Sequence, residues 1–104
     1  MTPVNRALAW LDEHGWCGDI VERRITPIVC KDFFSCIDII AIDRMSSRTL
    51  AVQVCHISDI YKRRAKVRAS GKLELMLEAG WQVWVMGWNS SETPKVLSLS
   101  AEPA

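Results

Sequence analysis

The stretch from Ser35 to Ile57, SCIDIIAIDRMSSRTLAVQVCHI, constrains this chain more than any other. Two apolar runs rich in Ile and Val, Cys36–Ile42 and Leu50–Ile57, flank the polar tetrad Arg44-Met45-Ser46-Ser47. Strand-forming runs joined by a short polar connection fold as an antiparallel hairpin. Closing that hairpin on Arg44–Ser47 predicts Asp43 opposite Arg48, Asp38 opposite Gln53, and Cys36 opposite Cys55. A slip of one residue would turn every side chain to the other face, so the register decides which groups can meet. In this register Asp38, Gln53, Cys36 and Cys55 share a face. Asp38 is hemmed in by Cys36, Ile37, Ile39, Ile40 and Ala41, and a carboxylate in such surroundings is costly unless something binds it. That acid is the main functional clue.

The rest of the composition sets bounds. The chain has 104 residues, 49% of them hydrophobic, which suffices for one small domain with one core. A net charge of +1 gives no global field, so any attraction for nucleic acid must come from a local patch. The apolar runs are short and broken by Asp38 or Gln53, so no membrane span is expected. The N-terminus lacks the basic-then-apolar pattern of a signal peptide. Cys17, Cys30, Cys36 and Cys55 form no Cys-x-x-Cys pair, which fits reduced thiols in a cytoplasmic protein.

In chain order, Thr2-Pro3 can start a helix that Gly15 ends, with Val4, Ala7, Leu8 and Leu11 on one face. An extended segment begins at Trp16, and Ile20–Ile25 is expected as a strand near a sheet edge, limited by Pro27. Ile28–Phe34 is either more strand or a loop. After the hairpin, Ser58 and Asp59 are placed to cap a helix through Ile60–Arg68. Ser70-Gly71 interrupts it, Leu73–Ala79 resumes it and Gly80 stops it. Trp81–Trp88 is apolar on nearly both faces, as in a strand covered on two sides. A right-handed crossover then sets this strand parallel to its partner. Residues 1–88 thus form one α/β domain: a mixed four-stranded sheet flanked by helices, in the order αβββαβ. Residues 89–104 form a Ser- and Pro-containing tail in which Lys95–Leu99 can add a short edge strand.

That order, with Asp38 on the second strand and Gln53-Val54-Cys55 on the third, resembles the PD-(D/E)XK nuclease superfamily. Its signature is an acid on the second strand followed by an acid-x-Lys triplet on the third. Gln in the triplet's first place resembles the Mrr-type restriction endonucleases. Lys31-Asp32-Phe33-Phe34-Ser35-Cys36-Ile37-Asp38 is similar to a segment of small phage and bacterial nuclease-like proteins. The resemblance spans roughly Val4 to Trp88 and implies a restriction-endonuclease-like fold. It also implies metal-assisted hydrolysis of phosphodiester bonds in DNA. Asp38, the Gln53 amide and the Val54 carbonyl would hold Mg²⁺, with Glu22 or Asp32 as a second carboxylate. Two positions depart from the pattern. Cys55 stands where the catalytic lysine belongs, and Asn5 lies about where many relatives carry a glutamate. A neutral thiol does not replace a positioned proton-transfer group, whose loss costs on the order of 10²–10⁴ in rate. Cleavage is then expected to be slow or absent unless a lysine reaches in, with Lys31 and Lys62 as candidates.

Each feature also has a plain structural alternative. Asp38 can be a buried acid tied to a backbone N–H or an arginine, with Gln53 simply donating to it. Cys36 and Cys55 can be small core residues, and a cross-strand disulfide is conceivable. His56 faces away from Cys55, which argues against a joint site. The run Lys62-Arg63-Arg64-Ala65-Lys66-Val67-Arg68 is either a solvated helix face or a phosphate-binding stripe, which Arg23 and Arg24 could extend. The expected function is a nuclease-fold DNA-binding protein, with Mg²⁺-dependent endonuclease activity if the site works. The alternative is an inactive relative that binds nucleic acid or protein, such as a phage counter-defence factor acting inside a bacterial cell. A homodimer is compatible with either.

Overall fold

The computed structural model describes residues 2–21, 23–26, 29–31, 34 and 36–100. Helix α1 spans Pro3–Glu13, with the Thr2 hydroxyl accepting from the Asn5 N–H and proline at its first position. Gly15, at φ +90°, turns the chain out of it. The strands are β1 (Trp16–Ile20), β2 (Arg23–Thr26), β3 (Val29–Lys31), β4 (Ile39–Asp43), β5 (Thr49–His56), β6 (Gln82–Trp88) and β7 (Lys95–Leu99). Helices α2 (Ile60–Ala69) and α3 (Leu73–Glu78) connect β5 to β6.

A five-stranded mixed sheet in the order β1-β4-β5-β6-β7 carries the domain. Its one parallel pair is β5–β6, as expected for a strand–helix–strand crossover; β1–β4, β4–β5 and β6–β7 are antiparallel. The sheet has five strands rather than four because Lys95–Leu99, the segment read as able to add a short edge strand, pairs along β6. The strand expected over Ile20–Ile25 is corrected. The sheet edge is β1, which ends at Ile20, and β2 pairs with β3 in a separate two-stranded sheet. Gly18 explains why β1 is hard to recognise. A Cβ there would come within 3.0 Å of Leu8 Cδ1, so the position is glycine for close packing under α1.

The central hairpin has the register the sequence predicts. Ile39 pairs with Val52, Ile40 with Ala51, Ala41 with Leu50 and Ile42 with Thr49. The Asp43 N–H donates to the Arg48 carbonyl, and Arg48 also grips the Asp43 carboxylate at 2.6 Å. That contact, with donors from Met45 and Ser46, holds the Asp43 carboxyl at a pKa of about 2.

Two apolar layers cover the sheet. On one face α1 brings Ala7 and Leu11 onto Trp16, Ile39, Ala41, Leu50, Val52, Val54, Met86 and Trp88. On the other, α2 and α3 bring Ile60, Val67, Leu73 and Met76 onto Ala51, Cys55, Val83, Val85 and Leu99. Trp16 and Trp88 are buried, whereas Trp10, Trp81 and Trp84 are half-buried. No helix among the described residues is long and apolar enough to cross a membrane.

Candidate functional site

The β4–β5 ladder stops where Asp38 leaves the strand. The Asp38 N–H still donates to the Val52 carbonyl at 2.9 Å, but the next inward donor on β5, the Val54 N–H, has no ladder carbonyl opposite it. The Asp38 side chain fills that place: its Oδ2 accepts from the Val54 N–H at 2.8 Å. The same oxygen accepts from Gln53 Nε2 at 2.6 Å. Asp38 is 5% exposed and Gln53 1%, so this is a buried polar pair in the sheet layer under α2 and α3. A buried carboxylate with two N–H donors is satisfied, which answers part of its desolvation cost.

The pair is not closed. Gln53 Nε2 makes a second, longer contact with the Val54 carbonyl at 3.2 Å, while Gln53 Oε1 is buried with no hydrogen-bond partner among the described residues. Turning the amide over would set its oxygen against the Asp38 carboxylate, so charge fixes this orientation. The amide oxygen, turned away from the carboxylate, is an acceptor open to a hydrogen-bond donor or a cation.

Cys55 follows on the same face, 6% exposed and paired in register with Gly87 of β6. Burial pushes its thiol pKa up to about 11; the charge of Arg63 opposes that shift, and Asp59 and Asp38 add to it. Cys55 is therefore a neutral thiol at physiological pH, with neither charge nor basicity to offer. Cys36 and Cys55 are thiols buried in the same apolar cluster, the packing role that competed with a ligand role.

No known family model matches this chain. Nor does any curated protein. What the site can do follows from its own geometry.

Helix α2 approaches it closely. A Cβ on Gly87 would lie 2.9 Å from Ile57 Cα and 3.1 Å from Ile60 Cδ1, so glycine opposite Cys55 lets the start of α2 rest on the strands. Ser58 and Asp59 do not cap α2 in the expected way, since Asp59 makes no side-chain cap bond. A 3-10 turn over Ile57–Asp59 precedes the helix, and the His56 ring accepts from the Ser58 N–H. His56 is exposed and thus occupied away from Cys55. Along α2, Lys62, Lys66 and Arg68 are exposed, and Arg63 and Arg64 are half-buried.

Among the expected site residues, the fold brings together Asp38, Gln53, the Val54 backbone and Cys55. Glu22 and Asp32, the candidates for a second carboxylate, lie outside the described residues; Arg23 and Arg24 fall in β2 and Lys31 in β3. Among the described residues no three Asp, Glu, His or Cys side chains are grouped to hold a metal. Magnesium, which the nuclease resemblance implies, would find the Asp38 carboxylate and the unpartnered Gln53 oxygen. The ion often binds through one or two carboxylates plus waters and substrate phosphates, so these donors fit as the protein's share of a shell. There it would supply Lewis-acid stabilisation of phosphoryl charge. Arg63 is the group that sequence reasoning assigned only to the basic stripe. Burial of Ile60 and Val67 sets Arg63 and Arg64 on either side of the contact line and leaves Lys62 outside.

Proposed function

We propose that this protein binds nucleic acid, with DNA as the expected partner, by laying phosphate backbone across the face that carries the basic helix and the Asp38–Gln53 pair. The observation that carries this reading is the contact of the first turn of α2 with Gly87, the register partner of Cys55. It sets a run of five cations and a buried, incompletely satisfied polar pair on one side of one sheet. A solvated helix face alone would give no reason for the second feature.

The nuclease resemblance supports a site of nuclease ancestry. The chemistry at Cys55 supports binding with slow or absent hydrolysis, because the group in the lysine's place is a neutral thiol. A second reading, Mg²⁺-dependent endonuclease activity, is favoured by one observation, the buried Asp38 carboxylate held against Gln53, whose Oε1 has no hydrogen-bond partner among the described residues. Asp38 and Gln53 would then hold the ion, and the α2 cations would orient the phosphate.

Salt titration of duplex binding tests the first reading, and nicking in the same mixtures tests the second. Arg64→Ala, Lys66→Ala and Arg68→Ala should each lower the slope of log K against log salt by roughly 0.9, for any duplex sequence. Wild-type protein that ignores duplex DNA at low salt would refute the binding reading. For the second, Cys55→Lys should raise Mg²⁺-dependent nicking by a factor on the order of 10² or more, and adding Asp38→Ala should abolish it. Brisk wild-type cleavage that Cys55→Lys leaves unchanged would remove Cys55 from the account.

A further inference from the structure

The basic helix has two flanks, and they face different strands. Ile60 and Val67 are buried two turns apart and mark the line along which α2 lies on the sheet. Successive residues step around a helix by about 100°, so Tyr61, Arg64 and Arg68 fall to one side of that line. Arg63 and Lys66 fall to the other. The first flank is identified by its contacts. Tyr61 Oη accepts from Lys95 Nζ of β7 at 2.9 Å, and the Arg64 guanidinium lies 5.0 Å from the Tyr61 ring. Helix α2 packs across β5, β6 and β7, and those strands are adjacent in that order. With the Tyr61 side toward β7, the Arg63 side overhangs β5. That is the strand of Gln53 and Cys55.

We propose that Arg63 is the phosphate-gripping residue of the Asp38–Gln53 site, supplying a positive charge on the β5 flank of α2 and taking two non-bridging oxygens of a phosphate laid along that flank. This rests on the nucleic-acid-binding reading above. Arg63 is half-buried, and the first turn of α2 beneath it is seated against Gly87, the register partner of Cys55. Guanidinium suits the task, since its fork matches two phosphate oxygens and its charge is never lost. It does not exchange protons at neutral pH. A site with arginine for its cation grips phosphate without moving the proton that hydrolysis needs.

The test is anisotropy of a labelled DNA duplex with the full chain at fixed low salt. Arg63→Gln should weaken binding roughly 10- to 100-fold, the span expected for a charge-assisted bond in a partly desolvated site. Arg64→Gln, equally half-buried but on the β7 flank beside Tyr61, should cost about threefold, as a phosphate contact away from the site does. Arg63→Lys should recover most of the loss, because charge rather than packing is at stake. Equal losses for Arg63→Gln and Arg64→Gln, with wild type binding, would overturn this inference alone. A larger Arg63→Gln loss that lysine does not rescue would also overturn it, because the role would then be structural. Wild type that does not bind duplex would overturn it together with the reading on which it rests.

Discussion

The two faces of the sheet bury comparable apolar layers and treat polarity in opposite ways. Under α1, the inward positions of β4, β5 and β6 are Ile39, Ala41, Leu50, Val52, Val54, Met86 and Trp88, all buried. Under α2 and α3 the same strands present Ile40, Ala51, Val83 and Val85, but also Gln53 and Cys55, with Asp38 and Cys36 just ahead of β4. The alternation of a strand assigns both sets from one sequence, so the difference lies in what was placed at every second position. The α1 face holds the fold together. The α2 face gives up apolar packing at Asp38 and Gln53, and one amide oxygen is left without a partner. A sheet can carry such an insertion when its other face is uniformly packed.

The sharpest way to break this contrast is a cavity in the α1 layer. Leu11 is fully buried, and Leu11→Ala should cost about 2–5 kcal/mol in denaturant unfolding. Duplex affinity of the folded fraction should not change. If affinity fell in step, the α1 face would belong to the site as well.

A smaller effect is expected on the polar face. Asp38→Ala removes the acceptor used by both Gln53 and the Val54 N–H, and should cost about 1–3 kcal/mol. Asp38→Leu combined with Gln53→Leu should be more stable than Asp38→Ala by about 1 kcal/mol, because only one buried donor then stays unpaired. Were the double variant the less stable of the two, the pair would be a structural anchor and the contrast between the faces would weaken.

The smallest effect is a pH dependence. The Cys55 thiol titrates near 9.0 when exposed and at about 11 when folded. Between those values the unfolded chain has released a proton that the folded chain keeps, so stability falls as pH rises through this window and is unaffected below it. Subtracting the curve for Cys55→Ala should isolate that limb. An unchanged difference across the window would mean that the thiol is not in a buried site.

The register of the site was legible in the sequence because a hairpin obeys local arithmetic. Once Arg44–Ser47 is the loop, Asp38 must meet Gln53, and their hydrogen bond follows. The parallel β5–β6 pair was legible too, since a helix between two apolar strands forces a crossover. What local pattern does not encode was missed or displaced. Strand β1 contains Gly18 and exposed Asp19, and so shows no clean alternation. The β2–β3 hairpin is paired apart from the main sheet, and strand pairing is a tertiary choice. Arg63 looked like one cation among five, because only burial of Ile60 and Val67 reveals which way α2 is rolled.

Gly87 acts as a gauge of distance. Through the missing methyl group, α2 sits at its closest approach to β5 and β6, and with it the height of every cation over the site. A methyl group at Gly87 would collide with the Ile57 backbone and raise the helix like a shim. If α2 grips phosphate as proposed, the strength of that grip would be adjustable from a position whose nearest neighbours are Ile57 and Ile60 rather than any charged side chain. Selection acting on reach, rather than on charge, would leave its mark at this glycine.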